Sequence, residues 1–115
     1  MRRGEIRLVD LDPARGSEAN KRRPAVIVSN DEANRSAERH GRGVVTVVPI
    51  TSNVSRVFPF QVFLRADETG LKVDSKAHAE QVRAVSIERV RGRVGRVPPA
   101  SSAALDEALR IHLGL

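Results

Sequence analysis

Cysteine, tryptophan and tyrosine are absent from this chain of 115 residues, and phenylalanine occurs only three times. Without cysteine, disulfide frameworks and thiolate zinc sites are excluded. We therefore expect an aliphatic core that also holds Phe58, Phe60 and Phe63. No run reaches the roughly 18 apolar residues that span a bilayer, and no apolar stretch typical of a signal peptide follows the N-terminal arginines. These absences favour a soluble, cytoplasmic protein with no membrane partner.

The charge of the chain is strongly basic, with a formal net charge of +6 and a calculated isoelectric point of about 11.2. Because net charge governs association rather than fold, the excess favours an anionic partner, either a nucleic acid or an acidic protein. A chain of this length can bury one small core. We expect residues 1–115 to form a single domain.

Six segments carry the alternation or the short apolar runs that are typical of strands. The predicted strands are residues 5–11, 25–28, 44–51, 58–64, 75–85 and 92–97. Helices do not alternate with these strands as they would in a parallel sheet. The sequence therefore predicts a mainly β fold with added helices, a small antiparallel barrel.

Two polar connections interrupt the predicted strands. Residues 14–23 contain no apolar residue larger than alanine, and this composition predicts a mobile loop. Residues 30–43 are also polar, and one helical turn is expected after Asp31.

A helix is predicted at the C-terminal end, after two consecutive prolines. Ser101 or Ser102 is expected to cap it, and Asp106 and Glu107 are expected in its first turns, where the helix dipole favours acidic groups. One face of this helix is apolar at helical spacing. That face is expected to bury Leu105, Ala108, Leu109, His112 and Leu113.

Candidate metal ligands are sparse. His78 and Glu80 match the H-x-E fragment of zinc deaminases, but that signature also needs a pair of cysteines, and the chain has none. His40, His78 and His112 are not spaced as a ligand set. The residues therefore predict neither a metal nor a cofactor.

The stretch “KRRPAVIVSN” places three cations directly before an apolar strand. Arg23 at the end of a strand is held in position, and its guanidinium can grip a phosphate with two hydrogen bonds. Thr51, followed by Ser52 and Asn53, is the polar end of another apolar strand and could serve the same anion. Alternatively, Arg23 pairs with a carboxylate and Thr51 only starts a turn. These alternatives, with Glu18 or Glu80 as the carboxylate, are equally open at this point.

Several ordered motifs resemble the MazF/PemK/Kid toxin family. They are “GSE” in the first loop, “RP” at the start of the second strand, “PITS”, and “AEQVRAVSIERV” before a final helix. The resemblance covers essentially the whole chain. It implies an SH3-like barrel that forms a homodimer and needs no metal or cofactor. It also implies a toxin that cuts single-stranded messenger, transfer or ribosomal RNA, leaving 2′,3′-cyclic phosphate and 5′-hydroxyl ends, and that is neutralised by a MazE-like antitoxin.

Site residues follow from the same resemblance, position by position. Arg23 and Thr51 match the catalytic arginine and threonine. Glu18 of “GSE” lies in a loop that borders the RNA and is the third expected catalytic residue, a base for the 2′-hydroxyl once the loop closes. A further set is expected to bind RNA. These residues are Lys21, Arg22, Asn30, Ser52, Asn53 and Gln81.

Two other functions compete with RNA cleavage. A gyrase-poisoning toxin of the CcdB type resembles this fold but lacks ribonuclease chemistry. A barrel that binds RNA without cutting it would stack bases on aromatic side chains, and the expected burial of the phenylalanines disfavours such a barrel. The combination of Arg23 with Thr51 favours the nuclease.

Overall fold

The structure, a computed structural model, describes all 115 residues. It contains seven strands, and every strand pair is antiparallel. The strands are β1 (Glu5–Asp10), β2 (Arg22–Ile27), β3 (Val44–Thr51), β4 (Gln61–Leu64), β5 (Ser75–His78), β6 (Arg83–Ser86) and β7 (Val90–Arg96). They run in the order β4-β5-β3-β2-β1-β7, and β6 also pairs with β3. Because β4 and β7 do not pair, the barrel that the sequence predicts is open along one seam.

The third strand is the only one with the predicted boundaries, and the fifth predicted strand differs most. Residues 75–85 form β5 and β6, separated by a 3₁₀ turn at Ala79–Gln81. Both strands pair with the same edge of β3, since Val45 faces Val85 and Ile50 faces Ala77. The prediction of one continuous strand was wrong, because the 3₁₀ turn interrupts the segment and its two halves pair separately with β3.

Alternating side chains of the sheet fill two hydrophobic clusters on opposite faces. Val48 packs in one cluster with Ile6 and Val26, whereas its neighbour Val47 packs in the other with Val9. Helix α3 (Pro99–Leu113) contributes to the first cluster, and helix α1 (Asp31–His40) contributes to the second. The sheet is therefore covered by one helix on each face.

Helix α1 is longer than the single turn predicted from the polar composition of residues 30–43. Asn30 caps it by accepting a hydrogen bond of 2.8 Å from the backbone N–H of Ala33. Gly41 ends it at φ 65°, in the left-handed region that favours glycine. Only Asn34 and Ala37 of this helix are buried, so its sequence carries little apolar signal.

Helix α3 begins one turn earlier than a serine cap would allow. Pro98 is the N-cap residue and Pro99 is the first helical residue, where the fixed φ of proline suits a helix. The predicted cap at Ser101 or Ser102 was therefore wrong. Of the predicted apolar face, Leu105 and Ala108 are buried and Leu109 is half-buried, whereas His112 and Leu113 are exposed. Asp106 is beyond the first turn and forms an ion pair of 2.9 Å with Arg3.

The three phenylalanines are outside both hydrophobic clusters. Phe58 and Phe60 are half-buried before β4, and Phe63 in β4 is 44% exposed. The prediction that they belong to the core was wrong, because valine, isoleucine, leucine and alanine fill it without them. A short helix, α2 (Ala66–Thr69), follows β4. None of the helices is long and apolar enough to cross a membrane.

Candidate active site

Arg23 and Thr51 come together at one end of the sheet. Strands β2 and β3 are antiparallel neighbours, so the start of β2 lies beside the end of β3. Ala25 faces Pro49, and the same register continued by two residues sets Arg23 opposite Thr51. Both residues line a cavity of about 440 Å³. The structure thus brings together Arg23 and Thr51, two of the three residues for which catalytic roles are predicted, whereas the third, Glu18, does not line the cavity.

The cavity combines apolar and cationic groups, and no carboxylate lines it. Its apolar residues are Leu8, Pro24, Ile50, Leu71, Val73 and Val94, and its cations are Lys21, Arg22, Arg23 and Lys72. Ser52 and Ser75 add hydroxyl groups. Because uncompensated cations raise the local potential, the cavity suits an anion that also carries an apolar part. A nucleotide has this composition.

Arg23 is held by Asn20 and not by a carboxylate. Its Nε donates to the Asn20 backbone oxygen at 2.8 Å, and its Nη2 donates to Asn20 Oδ1 at 3.1 Å. Arg23 takes part in none of the six ion pairs of the chain. Arg23 therefore pairs with neither Glu18 nor Glu80 in the structure. The charge stays available while the side chain is already oriented.

Thr51 keeps its hydroxyl proton available. Its Oγ1 accepts a hydrogen bond of 3.3 Å from the Asn53 N–H. Asn53 Oδ1 accepts from the Ser55 hydroxyl at 2.8 Å, which stabilises the turn that leaves β3. Ser52 lines the cavity beside Thr51, whereas Asn53 does not. Thr51 therefore both starts a turn and belongs to the residues that line the cavity, so the two alternatives for this segment are compatible.

The loop between β1 and β2 is fastened near its C-terminal end. Gln81 accepts a hydrogen bond of 3.0 Å from the Ala19 N–H and donates one of 2.9 Å to the Ser17 backbone oxygen. Ala19 is buried in the second hydrophobic cluster. Both ends of the Gln81 amide are thus used to position the loop. Mobility of the loop that begins at Ala14 remains a prediction.

Glu18 and Asn30 do not line the cavity. Glu18 is exposed, and its carboxylate accepts a hydrogen bond of 3.0 Å from the Arg15 N–H. Asn30 spends its side-chain oxygen on the cap of α1. Their predicted roles at the RNA are therefore untested by this arrangement.

Lys76 is a site residue that the sequence did not reveal. It faces Thr51 across the β3–β5 pair, and Phe63 faces it in turn across the β4–β5 pair. Directly opposite residues share one face of a sheet, so Thr51, Lys76 and Phe63 form a row. Since β3 and β5 are separated in the chain by β4 and α2, no local pattern indicates this pairing.

The charges of Glu80, Arg23 and Lys76 all act on His78. Burial lowers the pKa of His78, the Glu80 carboxylate partly opposes that shift, and the charges of Arg23 and Lys76 add to it. His78 Nε2 and Glu80 Oε1 are buried without a hydrogen-bond partner. The other Glu80 oxygen accepts a bond of 2.6 Å from Gln61. No three His, Asp or Glu side chains gather where they could hold a metal ion.

Comparison with known proteins decides the family. The sequence profile of the PemK-like, MazF-like toxins of type II toxin–antitoxin systems matches residues 2–113. The chain belongs to this toxin family. It is 64% identical over 115 residues to Endoribonuclease MazF9 of Mycobacterium tuberculosis, covering 100% of this chain and 98% of that protein.

Two solved structures of MazF-type proteins show the same fold. MazF from Deinococcus radiodurans superposes with a TM-score of 0.79 at 25% identity, covering 100% of this chain and 97% of the other. An endoribonuclease from a mycobacterial species, solved in complex with its cognate antitoxin, superposes with a TM-score of 0.76 at 24% identity. That match covers 100% of this chain and 96% of the other. The predicted resemblance to MazF toxins and the predicted fold class are both confirmed.

Proposed function

We propose that this MazF-family toxin is an endoribonuclease that cuts single-stranded RNA without a metal ion and thereby inhibits translation and growth. The observation that carries the proposal is the pairing of Arg23, a cation free of any carboxylate, with Thr51 at the same end of the sheet. The name of the MazF9 relative, an endoribonuclease 64% identical over 115 residues, supports it.

The reaction uses the 2′-hydroxyl of the RNA as the nucleophile. The 2′-oxygen forms a bond to the adjacent phosphorus as the bond from phosphorus to the 5′-oxygen breaks. A base takes the proton of the 2′-hydroxyl, and an acid gives a proton to the departing 5′-oxygen. The products are a 2′,3′-cyclic phosphate and a 5′-hydroxyl. Because the substrate supplies the nucleophile, the chain needs no reactive cysteine or serine.

Arg23 is suited to stabilise the negative charge that builds up on the non-bridging phosphate oxygens. Asn20 occupies Nε and one hydrogen of Nη2, which leaves Nη1 and the outer hydrogen of Nη2 for the phosphate. Arginine is a hydrogen-bond donor and not a proton-transfer group, so the role of Arg23 is electrostatic. The Thr51 hydroxyl can donate to the same oxygens.

Glu18 is the proposed base for the 2′-hydroxyl. In the structure its carboxylate binds the Arg15 N–H in an exposed loop, so this role requires the loop tip to move toward the cavity. Arg22 and Lys21, which line the cavity, are the proposed ligands of the flanking phosphates, and Ser52 is a proposed hydroxyl donor to them. Gln81 is assigned an indirect role, since it fastens the loop that holds Asn20. RNA contacts by Asn30 and Asn53 remain predictions.

A homodimer and an antitoxin are the proposed protein partners. Seven large apolar side chains are exposed, Val73 at the cavity among them, so pairing of two chains would cover apolar surface. An acidic antitoxin segment with an apolar side chain matches the cationic rim and apolar lining of the cavity. The mycobacterial structure with its cognate antitoxin supports this partner. Sedimentation at micromolar concentration tests the dimer, which a monomer would contradict.

The decisive test of the reaction is the chemistry of the new RNA ends in the presence of EDTA. We expect the purified protein to cut single-stranded RNA under these conditions and to leave 2′,3′-cyclic phosphate and 5′-hydroxyl termini. Sequencing of the cut ends identifies the recognised sequence. Cleavage that requires Mg²⁺, or that yields 3′-hydroxyl and 5′-phosphate ends, would contradict the mechanism.

A further inference from the structure

All three aromatic side chains of the chain lie in or just before β4, and Lys76 connects them to the candidate active site. The rings of Phe58 and Phe60 are stacked, with centroids 5.3 Å apart and an interplanar angle of 2°. The Arg56 guanidinium lies over the Phe58 ring at 4.5 Å. Phe63 is 44% exposed in the middle of β4. We refer to Phe58, Phe60 and Phe63 as the phenylalanine cluster.

Lys76 connects the phenylalanine cluster to Thr51. It faces Thr51 on one side and Phe63 on the other, so Phe63 is two strand spacings, about 10 Å, from Thr51. Its Nζ lies 6.0 Å from the centre of the Phe58 ring and donates a hydrogen bond of 2.6 Å to the Arg56 backbone oxygen. The segment before β4 is therefore folded toward the sheet face that carries Thr51.

The aromatic rings are not needed for the core. Neither hydrophobic cluster contains a phenylalanine, and both are filled by aliphatic side chains. Aromatic side chains left at a surface with cations between them are characteristic of sites that bind single-stranded nucleic acid. Flat rings bind the faces of bases, and the cations bind the backbone between the bases.

We propose that the phenylalanine cluster is a stacking site for a nucleobase that flanks the cleaved phosphate, with Lys76 binding a phosphate of the same strand. The inference rests on the proposed ribonuclease function and adds to it the place where one neighbouring base is held. Phe63, the most exposed ring, forms the outer face for the base. Stacking tolerates any base and favours those that stack strongly, so the site sets a preference next to the cut rather than a strict code.

A mutant cycle between protein and RNA tests this site. The substrate is a single-stranded RNA of defined sequence that the native protein cuts once, prepared also with an abasic nucleotide at each position near the cut. The protein variants are Phe63→Leu and Phe60→Leu, and unfolding in urea checks that each is folded. Ile111→Ala is the control, since Ile111 is 48% exposed and lies on α3, which is not part of the row.

We expect Phe63→Leu to lower kcat/KM about tenfold on intact RNA, the size of one base–aromatic stacking contact. One abasic position should lower kcat/KM for the native protein by a similar factor and should have almost no further effect on Phe63→Leu. Phe60→Leu should give the same pattern at that position, and Ile111→Ala should match the native protein at every position.

Two results would overturn the stacking site while leaving the proposed function intact. One is cleavage of every substrate by both phenylalanine variants at the native rate. The other is a loss of activity in the phenylalanine variants that is the same at every abasic position and is accompanied by dissociation of a dimer in sedimentation. That result would identify the cluster as a subunit contact. Failure of the native protein to cut any RNA would instead overturn the proposed function itself.

Discussion

The charge of Arg23 is uncompensated because its hydrogen-bonding partner is neutral. Asn20 offers a backbone oxygen and an amide oxygen, and together they fix the orientation of the guanidinium. A carboxylate at that distance would fix it equally well but would compensate its charge. Asn20 thus orients Arg23 without neutralising its charge.

Replacing that asparagine with an acid is therefore expected to impair catalysis. In Asn20→Asp the new carboxylate should pair with Arg23 and compete with the RNA phosphate, lowering kcat/KM at least tenfold. Asn20→Ser, which keeps a neutral oxygen near Arg23, is the control and should lose less. Steady-state cleavage of a defined RNA measures both variants. Equal activity of Asn20→Asp and the native protein would indicate that the charge of Arg23 is not used.

His78 is expected to make stability depend on pH. Its pKa is lowered by burial, while the charges of Glu80, Arg23 and Lys76 act on it with opposing signs, and Gln61 faces it in β4. The unfolded chain then binds a proton more readily than the folded chain. Stability should fall as pH drops below about 6.5 and stop falling on this account below the folded-state pKa. At pH 8 the histidine has no effect of this kind.

Urea unfolding between pH 8 and pH 5 measures this contribution. His78→Gln should lose less free energy of unfolding across that range than the native protein does. His112→Gln, which alters an exposed histidine on α3, should follow the native curve. Identical slopes for His78→Gln and the native protein would show that His78 does not titrate in this window.

Among the elements, β3 was predicted with its exact boundaries, whereas the division of residues 75–85 into β5 and β6 was not. Five apolar residues are buried among the eight residues of β3. So dense a run of apolar residues allows the boundaries of the strand to be predicted from the sequence. The split of residues 75–85 depends on how β5 and β6 share one edge of β3, which is a property of the pairing. The length of α1 was hidden because only two of its residues are buried.

The candidate site was predictable to the same extent. Arg23 and Thr51 are polar residues at the ends of apolar runs, and antiparallel neighbours bring such ends together. Asn20 and Lys76 were missed because their roles arise from a loop conformation and from a distant strand. The phenylalanines were misassigned because composition alone cannot tell a buried ring from one that is left at the surface.

Strand β7 contains a glycine that its packing requires. A Cβ at Gly95 would lie 1.7 Å from the backbone oxygen of Thr69 and 2.8 Å from its carbonyl carbon. Backbone atoms cannot rotate away, so the strand or the end of α2 must shift. Gly92 is in the same strand, and a Cβ there would meet nothing within 4 Å.

Gly95→Ala is therefore expected to lower the free energy of unfolding by about 3 kcal/mol. Gly92→Ala should change it by less than about 0.5 kcal/mol, as an unobstructed substitution in a strand does. Urea unfolding of the two variants at pH 7.5 gives both values. A Gly95→Ala protein as stable as Gly92→Ala would contradict the close contact between β7 and Thr69.

At the scale of the whole molecule, the chain carries a net charge of +6, and the lining of the cavity holds four cations and no acid. RNA and an acidic antitoxin segment should compete for these groups.

We expect the double variant Lys21→Glu/Arg22→Glu to weaken the binding of RNA and the binding of the antitoxin. RNA binding by the native protein should also weaken steeply as salt rises. Arg35→Glu/Arg39→Glu, with the same change in net charge on α1, should bind both partners more tightly than the cavity variant. Antitoxin binding at full strength by the cavity variant would place the inhibitor elsewhere.

The account as a whole depends on Arg23 acting on the phosphate, and the rate of RNA cleavage by Arg23→Ala in EDTA tests it most directly. Folding of the variant is first confirmed by urea unfolding, and Arg110→Ala, which removes an exposed arginine from α3, serves as the control. We predict that Arg23→Ala cleaves at least about 100-fold more slowly, a loss of about 3 kcal/mol of transition-state stabilisation, while Arg110→Ala cleaves at the native rate. Cleavage by folded Arg23→Ala at nearly the native rate would contradict the assignment of the site.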